Sequence, residues 1–442
     1  EDEQVESQPS HIHMPAGFQP GKIYELVYQT VGSQIVGLGF AAVRDMVSYL
    51  KYAPAENHNP CAGNIEYAYG FGRSQSGRFL RQMIYLGLNE DEEQRIALDG
   101  IIPHVGGGMR GEFNLRFGQP SKDVCYIAPE LFPFTDTAQL DPVTGLRDSL
   151  LASMVKRATV PKIIFTNTSA EYWRGDAALI HTNLETMTDA PESESVRRYH
   201  FAGCQHGSGE FPPLQVRTGE GPKGKLPFNS VDYTPLLRAA LVNLDRWVSE
   251  GEVPPPSRHP SLGDGTSVES HTLLEKFAQL PGVSDPSQTT RAMRLDYGPE
   301  VHLGRTLTLP ALVGEEYPAL VSQLDDDCNE IAGIRLPDLQ VPVATYTGWN
   351  LRHPDIGNPE LYIGISGGLA GWTLPFPVTR SEREASGDPR LSLEERFSSR
   401  EEFLDRVRAA AKGLVDEGYL LTDDLDNVVE RAALKYDYYV SE

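Results

Sequence analysis

An α/β architecture, a mostly parallel sheet flanked by helices, is what this sequence predicts, and three observations carry it. Segments with β-rich runs alternate with helical ones from Gly21 to Gly251, the order that builds parallel sheets covered on both faces. One predicted strand passes through a turn of glycine and serine straight into a helix. The 442 residues, 40% of them hydrophobic, supply apolar material for a large core and exclude wholesale disorder.

Taken in order, residues 1–20 are a polar lead-in and residues 23–30 a strand. Residues 38–51 are helical, with Val43, Met46, Val47 and Leu50 on one face. A short aromatic strand over 65–71 feeds a helix over 76–88. A strand over 100–105 ends in Gly106-Gly107-Gly108. The run 162–166 is β-branched and aromatic, 174–187 reads as helix, and 197–202 as the last strand of the series. A long amphipathic helix over 233–250 stops at Gly251.

Pro254-Pro255-Pro256 then breaks the pattern as a stiff linker would. The division is a core over 21–257 and a C-terminal accessory or cap region over 258–442. That region has short β-like runs over 306–313 and 340–346 and helices over 400–414 and 424–436. No repeat of fixed period is present.

The chain carries 39 basic and 62 acidic side chains, a net charge of −23. The residues after 257 hold 17 basic and 31 acidic groups, against 22 and 31 before. Such a surface repels phosphate backbones and anionic lipid, so neither nucleic acid nor membrane is an expected partner. No apolar run reaches membrane-spanning length. Cys61, Cys125, Cys204 and Cys328 form no CxxC pair, which argues against structural zinc; two disulfides could form in any of three pairings.

The chemistry starts at Gly72-Arg73-Ser74-Gln75-Ser76-Gly77. A serine at the tip of a sharp strand-to-helix turn is a nucleophile elbow. Its strained backbone demands small residues two positions away, which Gly72 and Ser76 satisfy around Ser74. Centring the motif on Ser76 fails, because Arg78 is too large. The following helix start offers N–H groups and a positive dipole end, so the Gln75 N–H is one expected oxyanion donor. The competing reading is a serine capping an ordinary helix.

A nucleophilic serine needs a base, and the base an orienting carboxylate. His206 lies on a glycine-flanked loop just past the strand 197–202 and is the expected base. Glu171 lies in the loop after 162–166 and is the expected acid. Asp176 competes, but reads as a solvated acid in the first turn of a helix.

The series Gly21-Lys22-Ile23-Tyr24-Glu25-Leu26, Gly37-Leu38-Gly39, the Ser74 hexapeptide, Glu171-Tyr172-Trp173 and Gln205-His206-Gly207 resembles the bacterial "alpha/beta hydrolase domain" family of long serine hydrolases. So do Gly333-Ile334-Arg335-Leu336-Pro337, Gly348-Trp349-Asn350 and Gly387-Asp388-Pro389-Arg390 in the tail. The resemblance implies an α/β-hydrolase fold, a Ser74–His206–Glu171 triad and acyl-ester chemistry without a cofactor. Tannases and feruloyl esterases are more distant. In them a disulfide ties the serine motif to the histidine motif, whereas Arg73 precedes Ser74 here.

This fold normally places three strands before the one expected at 23–30, and 22 polar residues cannot form them. The early strands are therefore expected in a separate or removed segment of the same protein, or replaced by the region after 258. The second oxyanion donor stays unassigned.

Three rival features carry less. Gly37-Leu38-Gly39-Phe40-Ala41-Ala42 fits G-x-G-x-x-A, but six residues separate it from the preceding strand and no acid ends the next one. Asp325-Asp326-Asp327 lacks EF-hand spacing and reads as a solvated turn. His11 and His13 are a polar pair in a tail.

Arg110, Asn114 and Arg116 follow the strand 100–105 at the sheet end where ligand crevices form, and with Trp173 are candidates for a substrate pocket. The expected activity is hydrolysis of a small-molecule or polymer ester by a secreted or periplasmic enzyme. An acyltransferase or lactonase using the same triad, and a non-catalytic binding protein on this fold, are the alternatives.

Overall fold

The computed structural model describes residues 11–19, 24, 26, 31, 37–111, 132–216, 222–286, 289–300, 307–308, 311–363 and 370–441. The strand expected over 23–30 falls almost wholly outside them, as do Asn114, Arg116 and Cys125.

Four strands form a parallel sheet in chain order: β1 (Tyr69–Arg73), β2 (Gly100–His104), β3 (Lys162–Thr168) and β4 (Val196–Phe201). Arg73 lies opposite His104, His104 opposite Thr166, and Thr166 opposite Tyr199, so the C-terminal ends of the strands line one edge. Alternation along the strands builds two cores. Ile101, Ile163, Phe165 and Val196 face one side, where α1 (Leu38–Tyr52) contributes Phe40 and α2 (Gln75–Tyr85) contributes Leu80 and Met83. Ile102, Ile164, Tyr199 and Phe201 face the other, beneath Leu236, Leu244 and Trp247 of a helix over Thr234–Ser249.

The helix expected over 174–187 does not form. A five-residue helix, α3 (Ser169–Trp173), starts earlier at a Thr168 capping box. It ends at Gly175, whose φ of 94° is left-handed and whose Cβ would sit 2.7 Å from the Thr290 carbonyl oxygen. A 3₁₀ turn (Ala177–His181) and a two-residue hairpin follow. Propensity favoured helix, but the tight approach of residue 290 required a turn.

The tail shares the sheet's core. Ile334 pairs in parallel with Phe201 and Arg258 with Tyr199, extending the β4 edge. Leu336, Leu339 and Tyr346, with Ala411 and Leu414 of α4 (Arg400–Asp416), pack with Tyr199, Phe201 and Leu244. The polyproline stretch is laid on this seam: Tyr199 donates to the Pro255 carbonyl at 2.7 Å and Tyr419 to that of Pro256 at 2.7 Å. None of the described helices is long and apolar enough to cross a membrane.

Candidate active site

Ser74 follows β1 with φ 57° and ψ −118°, a strained conformation for a residue with a side chain. It occupies the N-cap position of α2, yet its side chain makes no capping bond. The capping reading therefore does not describe it. Its backbone N–H is held by the His104 carbonyl at 2.9 Å, and the residue is half-buried.

The close approaches at the elbow fall on Gly72 and Gly77. A Cβ at Gly72 would meet the Ser76 carbonyl oxygen at 2.3 Å, and one at Gly77 the His104 oxygen at 2.9 Å. Ser76 itself is exposed, so its side chain is tolerated. Gln75 is the first residue of α2, where backbone N–H groups point out of the helix start.

Glu171 and His206 meet. The Nδ1 of His206 lies 2.5 Å from Glu171 Oε1. Glu171 is fully buried, and its second oxygen accepts from the Thr168 N–H at 2.8 Å and hydroxyl at 2.7 Å. Burial opposes the charge on Glu171, but the His206 bond, Arg174 and Thr168 outweigh it and hold the carboxyl at about 2. An ionised Glu171 accepts only, so His206 Nδ1 carries the proton of this bond. His206 is 8% exposed, at the rim of the sheet edge that also carries Ser74.

Asp176 is placed differently from the sequence expectation. It is fully buried and forms a two-point ion pair with Arg174, at 2.7 and 2.9 Å, while accepting from the Gly108 N–H at 2.9 Å. A Cβ at Gly107 would lie 2.0 Å from its carboxylate. The glycine run after β2 leaves room for this pair, which braces the segment following Glu171.

Two pocket candidates are corrected. The Arg110 guanidinium is buried, sits 3.7 Å from the Tyr85 ring centroid, and donates to Gln82 at 3.1 Å and the Phe132 carbonyl at 2.6 Å. It faces the interior because an aromatic ring and a carbonyl await it there. Trp173 is buried against Trp349 and Phe277, in a core of aromatic rings.

Sequence reasoning missed the support of His206. Tyr233 donates to the His206 carbonyl at 2.8 Å. Its hydroxyl proton being used, it accepts from His104 Nε2 at 3.1 Å, and His104 Nδ1 accepts from the Thr166 hydroxyl at 2.9 Å. Burial holds His104 down to about 3 and keeps it neutral; Glu171 opposes this, while His206 and Arg73 add to it. The signal was a lone histidine in a strand otherwise apolar.

Cys61, Cys204 and Cys328 are free thiols. Among the described residues no group of three or more His, Cys, Asp or Glu is arranged to hold a metal. Asp325 caps its own turn and Asp327 pairs with Arg396, so the acidic run is a braced loop.

A parallel sheet with a strained serine between its first described strand and the next helix, and a histidine–carboxylate pair at the same edge, defines a hydrolase of the α/β class. The chain belongs to the alpha/beta hydrolase domain family, whose model matches residues 4–430. No curated protein and no solved structure matches it.

Proposed function

We propose that this hydrolase cleaves carboxylic esters through an acyl-enzyme on Ser74, with His206 as base and Glu171 as the acid that orients it. The observation that supports this best is the pairing of a fully buried, ionised Glu171 with His206 Nδ1 at 2.5 Å, on the sheet edge where the strained Ser74 stands.

The Ser74 hydroxyl oxygen attacks the ester carbonyl carbon as its proton passes to His206 Nε2. The oxyanion is stabilised by the Gln75 N–H, a contribution of about 3 kcal/mol for one such donor. Collapse breaks the C–O bond to the alcohol, which leaves with the proton from His206. Water then repeats the sequence on the acyl-enzyme. Glu171 keeps the imidazole in one tautomer and stabilises its charged form.

Turnover of a short p-nitrophenyl ester tests this. Ser74→Ala is expected to lower kcat by roughly 10⁴- to 10⁶-fold while the protein stays folded. Undiminished turnover by Ser74→Ala, or none by the wild type on a panel of acyl chain lengths, contradicts the reading. Adding an alcohol acceptor distinguishes transfer from hydrolysis by the product formed.

A further inference from the structure

A second buried carboxylate stands behind the first. Glu330 is 2% exposed, and its Oε2 accepts three hydrogen bonds at once, from Ser169 Oγ at 2.6 Å, His200 Nε2 at 2.8 Å and the Gly203 N–H at 2.9 Å. Ser169 opens α3, two residues before Glu171. Gly203 opens the loop that carries His206 three residues later. His200 stands on β4 between them. One oxygen atom from the tail thus joins the two segments whose spacing sets the Glu171–His206 bond.

The tail holds this atom firmly. Glu330 lies on the return arm of a tight turn, bridged to Leu324. Asp325 closes the turn, accepting from the N–H groups of Asp327 at 3.0 Å and Asn329 at 2.9 Å. The Asn329 side chain is tied to the Ala344 carbonyl at 3.1 Å and the Tyr346 N–H at 2.9 Å. Beyond the turn, Ile334 bonds along β4, its N–H to the His200 carbonyl at 2.7 Å. A Cβ at Gly333 would strike the His200 ring at 2.5 Å, so the strand-like approach needs glycine there. Asn229 holds the other face of Gly203, donating to its carbonyl at 2.7 Å.

We propose that Glu330 is a positioning residue for the Glu171–His206 pair. Its single buried oxygen fixes the acid loop and the histidine loop at the separation their hydrogen bond requires. Glu330 touches neither Ser74 nor the proton in transfer, and acts through the segments it joins. Displacement of a catalytic group by 1 Å costs about 10²-fold in rate, and a buried carboxylate bonded to three donors resists such displacement. Its activity arm rests on the hydrolase reading; its structural arm does not.

The experiment compares wild type with Glu330→Leu, which loses all three bonds, and Glu330→Gln, whose amide oxygen can still accept them. Two readouts are taken. The first is kcat and KM for a p-nitrophenyl ester. The second is the far-downfield proton resonance of His206 Nδ1, assigned by its loss in Glu171→Gln.

The expected result is a kcat about 10²-fold lower in Glu330→Leu with KM within about twofold, and partial rescue in Glu330→Gln. The downfield proton is expected to move or vanish in Glu330→Leu and to move less in Glu330→Gln. If Glu330→Leu does not fold, Glu330→Gln decides: a lower kcat and a shifted resonance support the proposal. A folded variant with the wild-type resonance and wild-type kcat overturns it. If the wild type turns over no ester, the hydrolase reading fails separately and the resonance alone decides the role of Glu330.

Discussion

Glu171–His206 and Glu330–His200 are both buried histidine–carboxylate pairs, and both are built where the segments leaving β3 and β4 meet. The contrast between them is in what each leaves over. In the first, the carboxylate spends one oxygen on His206 and the other on Thr168, while the imidazole reaches the rim. In the second, the histidine is wholly buried and one carboxylate oxygen takes three donors. Of the two histidines, only His206 keeps some exposure, which the proposed proton exchange with a bound molecule requires. On the proposed reading, the same two functional groups serve chemistry in the first pair and architecture in the second, according to the access of one ring edge.

The largest effect that sharpens this contrast is on Glu171. Glu171→Gln keeps the shape but removes the charge that fixes the tautomer, and kcat is expected to fall about 10⁴-fold. In Glu171→Gln, adding Glu330→Leu is expected to cost less than about a further tenfold, because both changes act on one hydrogen bond. Steady-state kinetics of the double variant measure this. A fully multiplicative loss would mean that Glu330 acts elsewhere.

The sealed histidines predict the next effect. Burial lowers His104 to about 3, His259 to about 4, and His181 well below its ordinary range. Each has a folded value below its unfolded value near 6.5, so the unfolded chain binds more protons in acid. Their stabilisation is complete above pH 6.5 and is lost as pH falls from there toward 4 and 3. Each group contributes a slope of up to about 1.4 kcal/mol per pH unit. Glu171, held at about 2, adds a loss only below about 4.5. The urea midpoint is expected to be flat between pH 8 and 7 and to drop below 6.5. A midpoint unchanged down to pH 5 contradicts the sealed state.

The elbow yields the smallest pair of effects. Gly72→Ala drives a Cβ into the Ser76 carbonyl oxygen at 2.3 Å, and a loss of about 1–3 kcal/mol is expected in chemical denaturation. Ser76→Gly, at an exposed position, is expected to change stability by less than about 0.5 kcal/mol. The reverse ranking would mean that the elbow pivots on Ser76.

What was legible in the sequence was local. Ser74 stood out because a strand, a sharp turn and a helix follow within a few residues. Glu171 and His206 stood out because each sits just past a strand. Glu330 was illegible because its partners Ser169 and His200 lie 161 and 130 residues away, and hydrogen bonds at that separation leave no local pattern. Arg110 was misread for the same reason: Tyr85 and the Phe132 carbonyl draw it inward only once the chain has folded. The helix expected over 174–187 failed at one glycine, where a distant backbone crosses. The break at Pro254-Pro255-Pro256 looked like a boundary, yet the prolines lie on a seam where tail and sheet share one core.

The most direct measurement of the central claim is labelling with a fluorophosphonate, followed by intact mass and peptide mapping. One adduct per chain on the peptide containing Ser74, absent in Ser74→Ala and strongly slowed in His206→Ala, is the predicted result. No adduct on the wild type, or an adduct that persists in Ser74→Ala, would contradict it.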